Sequence, residues 1–143
     1  MPTSARPPGS RSIEELLARA RSRIERVEPV EAWHRLGRGA LLVDTRPAGQ
    51  RDRDGEVPGA VVVDRNVLEW RLDPASPDRL PVVTGYDLEI LVLCNEGYSS
   101  SLVADTLRAL GLDRTVDVTG GFVAWAAAGL PVIRPGAPSD RAA

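Results

Sequence analysis

The residues Ile90-Leu91-Val92-Leu93 form an unbroken apolar run, which reads as a short strand buried on both faces. The run delivers Cys94, the one cysteine of the chain. Gly97 and the serines Ser99, Ser100 and Ser101 follow, and then Leu102, Val103, Thr106, Leu107 and Leu110 recur on one helical face. Gly111 is placed to end that helix. The cysteine therefore sits between the carboxyl end of a strand and the amino end of a helix. Helix amino ends carry free N–H donors and partial positive charge, which bias a thiol towards thiolate, the form that attacks and carries groups. The same position also suits a small apolar residue closing off a strand.

The rest of the chain narrows the choice. Its 143 residues suit one domain with a real core, and 43% hydrophobic with 27% charged residues is an ordinary globular balance. A net charge of −2 gives no basic excess for nucleic acid. All 18 basic residues are arginine, which reads as compositional bias. A lone cysteine excludes an internal disulfide, a CxxC redox pair and a cysteine-cluster zinc site. No apolar signal core or membrane-length run is present, so the expected compartment is the cytoplasm, without a membrane partner.

In chain order, residues 1–11 are rich in Pro, Ser and Gly and are expected to be disordered. Ser12 with Glu15 forms a capping-box pattern opening an amphipathic helix over 12–26. Ile13, Leu16, Leu17, Ala20, Ile24 and Val27 share its apolar face, which packs on the domain or pairs with a second copy. Arg19, Arg21, Arg23 and Arg26 lie off that face and are expected to be solvated among i,i+4 acidic partners. Pro29 starts a second short helix through Leu36. It carries His34, the lone histidine, which has no acid–histidine–nucleophile pattern around it and is read as structural. Ala40–Val43 is a buried strand running into Asp44, Thr45 and Arg46. Gln50–Glu56 reads as a charged loop, and Ala60–Val63 as another strand. Asn66 is expected to cap a segment Val67–Leu72. Pro74–Gly85 reads as a surface stretch with one helical turn near Arg79. Thr115–Val118 is a strand, Gly120-Gly121 a tight break, Phe122–Ala128 a short helix, and 134–143 a loose tail.

Short apolar strands alternating with helices predict an α/β fold with a mainly parallel sheet of about five strands and helices on both faces. Sites in such sheets gather at the carboxyl ends of strands, where Asp44, Arg46, Asp64, Arg65 and Cys94 all fall.

Four ordered segments carry a family likeness. Val43-Asp44-Thr45-Arg46, Gly55-Glu56-Val57-Pro58-Gly59-Ala60, the loop Cys94–Ser99, and Gly120-Gly121-Phe122-Val123-Ala124-Trp125 with Ala128-Gly129-Leu130-Pro131-Val132 resemble the motifs of single-domain rhodaneses, a sulfurtransferase family. The likeness spans a domain over 27–133. It implies ping-pong transfer of sulfane sulfur from thiosulfate or a related donor, through a Cys94 persulfide, to a thiol or cyanide acceptor, with no cofactor and no metal. It also implies that Asn95, Glu96, Gly97, Tyr98, Ser99 and Ser100 wrap the sulfur with N–H donors. Arg65 is expected to help bind the donor, and Asp44 and Arg46 to support the site. Two departures stand out. Glu56 replaces the usual histidine of the Pro-Gly motif, a mainly structural position. The active loop has no arginine, with Ser99 where many members carry one, and it has Glu96, an acid that repels anionic donors. A cysteine phosphatase or arsenate reductase needs Cys-x5-Arg, whereas Ser100 stands at that position. A non-catalytic, protein-binding module is the remaining alternative.

Overall fold

The computed structural model describes residues 4–134. Five strands form one parallel sheet: β1 (Glu25–Val27), β2 (Leu41–Asp44), β3 (Val61–Val62), β4 (Ile90–Leu93) and β5 (Thr115–Val118), in the order β1-β5-β4-β2-β3. Six helices connect and cover it: α1 (Ile13–Arg21), α2 (Pro29–Gly37), α3 (Ala48–Asp54), α4 (Leu68–Leu72), α5 (Ser99–Ala109) and α6 (Gly121–Ala127).

The apolar runs of the sequence arise because the sheet is covered on both faces. On β4, Ile90 and Val92 point to one face, where they meet Leu68, Leu72, Val103 and Leu107 of α4 and α5. Leu91 and Leu93 point to the other, against Ala32 of α2 and Phe122 and Trp125 of α6. Trp33 and Trp125 meet edge to face with ring centroids 5.8 Å apart, and the Trp125 indole N–H donates to the Pro131 carbonyl at 2.9 Å. A central strand with no exposed face has no polar alternation to display.

Several expectations change. The helix predicted over 12–26 ends at Arg21, and Glu25–Val27 is instead an edge strand pairing parallel with β5. Val27 fits the helical apolar stripe and a three-residue edge strand equally well, so periodicity could not separate them. Ser12 does cap α1, accepting from the Glu15 N–H. Leu17 and Ala20 are buried against α5, while Ile13 and Leu16 stay exposed. Residues 48–54, read as mostly loop, form α3, which has no buried residue and so no apolar stripe to betray it. Asp64, not Asn66, caps the next turn, accepting from the Asn66 N–H at 2.8 Å. The stretch 74–85 contains turns and no helix, and Val83 enters the core. Of the terminal segments expected to be loose, residues 1–3 and 135–143 lie outside the described residues. Arg6, within the described part, pairs with Glu15.

Candidate active site

The carboxyl ends of β2 and β4 open onto a cleft of about 360 Å³ lined by Thr45, Arg46, Pro47, Gln50, Cys94, Asn95, Glu96, Tyr98 and Ser99. Cys94 lies at its inner wall, 5% exposed. The chain turns through Asn95–Tyr98 and enters α5 at Ser99. Three groups converge on the sulfur. The Gly97 N–H donates to Sγ at 3.1 Å, the Ser100 N–H donates at 3.4 Å, and the Cys94 thiol donates to the Ser100 hydroxyl oxygen at 3.2 Å. The backbone N–H groups of Asn95, Glu96, Tyr98 and Ser99 have no acceptor among the described residues. A loop so built presents a cluster of donors around a sulfur, which suits a negatively charged sulfur species.

Close backbone packing holds this shape. Gly97 has φ +86°, and a Cβ there would lie 2.6 Å from the Gly120 nitrogen. The first turn of α6 grips the loop entrance: Phe122 N–H donates to the Cys94 carbonyl at 2.8 Å and Val123 N–H to the Asn95 carbonyl at 3.0 Å. Gly121 is needed for the same approach, because a Cβ there would lie 2.5 Å from the Cys94 carbonyl oxygen.

Asp44 and Arg46 are fully buried side chains joined by a bidentate ion pair, with Nη2–Oδ2 at 2.8 Å and Nε–Oδ1 at 3.1 Å. Arg46 also donates to the Gly55 carbonyl at 2.8 Å, and its guanidinium lies 3.9 Å from the Phe122 ring centroid. This one side chain ties together the end of β2, the Gly55–Ala60 segment and α6. Its charge is spent inside the protein. Gly55–Glu56 is further held by paired backbone hydrogen bonds to Ile133, and Glu56 pairs with Arg51 at 2.8 Å.

Arg65 does not line the Cys94 cleft. It lines the neighbouring hollow and pairs with Glu69 one helical turn on, at 3.1 Å. His34 is exposed on α2 and is not among the cleft residues. Glu96 is exposed at the cleft wall, and as Arg46 is buried and paired, it is the solvent-facing charge there. The arginines near the amino terminus behave unlike the solvated row expected. Arg23 binds Asp105 of α5 through two bonds of 2.9 and 2.6 Å, Arg26 pairs with buried Asp117 at 2.8 Å, and Arg21 donates to Ser101 and to the Gly97 carbonyl. Their long stems carry the charge around the helix to partners that no i,i+4 count includes.

Residues 28–128 match the model of the rhodanese-like domain, which is most of the chain. The chain belongs to the rhodanese-like family. It is similar to the thiosulfate sulfurtransferase GlpE of Actinobacillus pleuropneumoniae, 31% identical over 107 residues, covering 74% of this chain and 90% of the relative. Among solved structures it resembles a Rhodopseudomonas palustris protein of unknown function, described as a possible tyrosine phosphatase. That match has a TM-score of 0.79 and 33% identity, and covers 92% of this chain and 98% of the other. The polysulfide-sulfur transferase homodimer of Wolinella succinogenes shares the rhodanese-like fold at 21% identity, with a TM-score of 0.69 over 85% of this chain and 86% of that one. No helix among the described residues is long and apolar enough to cross a membrane.

Proposed function

We propose that this rhodanese-family sulfurtransferase carries sulfane sulfur on Cys94 as a persulfide. The observation that carries the reading is the convergence of the Gly97 and Ser100 N–H groups on Sγ at 3.1 and 3.4 Å at the wall of an open cleft. In the first half-reaction the Cys94 thiolate attacks the outer sulfur of a donor such as thiosulfate. The donor S–S bond breaks, sulfite leaves with the electron pair, and a Cys94 S–S bond forms. In the second, cyanide or a thiolate takes the outer sulfur as thiocyanate or a new persulfide, and the Cys94 thiolate returns. The loop's N–H donors stabilise the terminal persulfide sulfur, where negative charge collects. The chain has one cysteine, so sulfur leaves to an external acceptor.

Glu96 opposes the approach of a dianionic donor. This favours a slow thiosulfate reaction and a preference for less charged donors. The phosphatase description attached to the R. palustris structure finds little support in this site. Ser100 occupies the sixth position after the cysteine, where a phosphatase holds its oxyanion-gripping arginine. Glu96 and the arginine-free loop favour one second reading, a catalytically weak binding module.

Intact-protein mass spectrometry after incubation with thiosulfate, with Cys94→Ser as control, tests the proposal. A gain of one sulfur on the wild type alone, removed by cyanide, is the expected result. No gain with thiosulfate, mercaptopyruvate or an organic persulfide overturns it in favour of the binding module.

A further inference from the structure

The Cys94 loop contains no arginine, yet a guanidinium reaches it from elsewhere in the chain. Arg21, the last residue of α1, lies outside the segment that matches the rhodanese-like domain. Its Nη2 donates to the Gly97 carbonyl at 2.8 Å, its Nε donates to the Ser101 hydroxyl at 3.0 Å, and its guanidinium carbon lies 5.7 Å from the Tyr98 ring centroid. Arg26 of β1 adds a longer bond to the same carbonyl, at 3.3 Å. Ser101 is fully buried and passes the contact on, donating to buried Asp117 at 2.5 Å.

Neither arginine is among the residues that line the cleft. A trans peptide points its C=O and its N–H in opposite directions. With the Gly97 carbonyl held by Arg21, the Tyr98 N–H of the same peptide faces away from the guanidinium. Charge follows the same geometry. Around the loop, Arg26 is paired with Asp117, Arg46 with Asp44 and Arg23 with Asp105, while Glu96 is exposed. Arg21 has no carboxylate within ion-pair distance among the described residues, so it brings an uncompensated positive charge to the loop.

We propose that Arg21 is a positioning residue of the Cys94 site: from α1 it pins the Gly97 carbonyl, so that the loop's N–H groups and the guanidinium's field both favour the anionic sulfur. This rests on the reading of Cys94 as the sulfur carrier. The amino-terminal helix is then part of the catalytic apparatus as well as a cover for α5.

The test compares Arg21→Gln, Arg21→Lys and Arg23→Gln in the full chain. Arg23→Gln removes the bidentate bond that ties the turn just after α1 to Asp105 of α5, and Arg23 has no hydrogen bond to the loop. Three quantities are read: the rate of Cys94 alkylation by iodoacetamide at fixed pH, kcat and KM of sulfur transfer, and the melting temperature. Arg21→Gln is expected to slow alkylation and lower kcat by about three- to tenfold, with KM little changed, as loss of one nearby charge and one ordered donor implies. Arg21→Lys keeps the charge and the docked helix, and restores most of the alkylation rate but less of kcat. Arg23→Gln lowers the melting temperature and leaves both rates alone. Equal slowing by Arg21→Gln and Arg23→Gln, or no slowing in either Arg21 variant, overturns the proposal. Alkylation reads the thiol whether or not it carries sulfur. A protein that never gains sulfur would refute the proposed function, whereas one that gains sulfur but whose thiol does not respond to Arg21 would refute this inference alone.

Discussion

Replacing Gly97 with alanine puts a methyl group into backbone. The added Cβ would lie 2.6 Å from the Gly120 nitrogen and 3.1 Å from its Cα, whereas ordinary contact begins at 3.4 Å, a shortfall of 0.8 Å at the nitrogen. Gly120 cannot retreat, because Phe122 and Val123, two and three residues on, donate to the Cys94 and Asn95 carbonyls. The Cys94 loop must move instead. Taken along the Gly97 N–H···Sγ bond, that shift lengthens it from 3.1 Å to about 3.9 Å, the outer edge of the range for a bond to sulfur, and weakens the donor. Alanine at φ +86° adds a backbone cost of about 1–2 kcal/mol. The expected result is a loss of about 2–4 kcal/mol of stability and a fall of about 10–100-fold in sulfur loading, since one preformed donor is withdrawn. Gly39→Ala is the control: its φ is +105°, but nothing lies within 4 Å of its Cβ position, so it shares the backbone cost without the collision. Single-turnover sulfur loading followed by mass spectrometry, with urea unfolding in parallel, reads both effects. A Gly97→Ala rate within about threefold of Gly39→Ala would refute the argument that the Gly97–Gly120 contact sets the donor geometry.

Arg46→Met should lower stability by about 3–5 kcal/mol in urea unfolding, because it leaves the Asp44 carboxylate buried without its partner. A loss below about 1 kcal/mol would mean the ion pair is not the anchor described. Glu96→Arg should raise kcat/KM for thiosulfate several-fold by replacing repulsion with attraction at the cleft wall. An unchanged value would end the electrostatic account of the loop. The Arg35 guanidinium, hydrogen-bonded to Glu25, holds that carboxyl below the usual carboxylate range. A carboxyl depressed in the folded state stabilises above its unfolded pKa, and the contribution fades as pH falls through the folded value. Glu25 is half exposed, so Glu25→Gln should cost a few tenths of a kcal/mol at pH ~6, and less as the pH falls below the usual carboxylate range. A cost that grows on acidification would contradict that sign.

The α/β architecture and the Cys94 loop were legible because both depend on neighbours in sequence. The runs Leu41–Val43, Ile90–Leu93 and Thr115–Val118 announce buried strands, and Cys94 followed by the Ser99–Ala109 helix announces the strand-to-helix turn. The exact elements were less legible where two patterns coincide. Ile24 and Val27 satisfied a helix although Glu25–Val27 forms the edge strand β1, and α3 had no apolar face to show. Arginine was the hardest residue to read. Arg46 reads from sequence as a support at a strand end, and the fold buries it against Asp44. Arg65 was expected at the donor; it pairs with Glu69 and lines the hollow next to the Cys94 cleft.

The sequence by itself determined the chemistry available: one thiol, placed after a buried strand and before a helix amino end, on a loop carrying Glu96 and no arginine. That information is local, because hydrogen-bonded turns and helix starts are set by residues within a few positions of one another. Only the tertiary structure decided which charges reach the thiol. Arg21 meets Gly97 and Ser101 across a gap of more than seventy residues, and Arg26 meets Asp117 across ninety-one. A long, flexible guanidinium side chain leaves no periodic trace of its partner, so its destination exists only once α1 is docked on α5 and β1 is paired with β5.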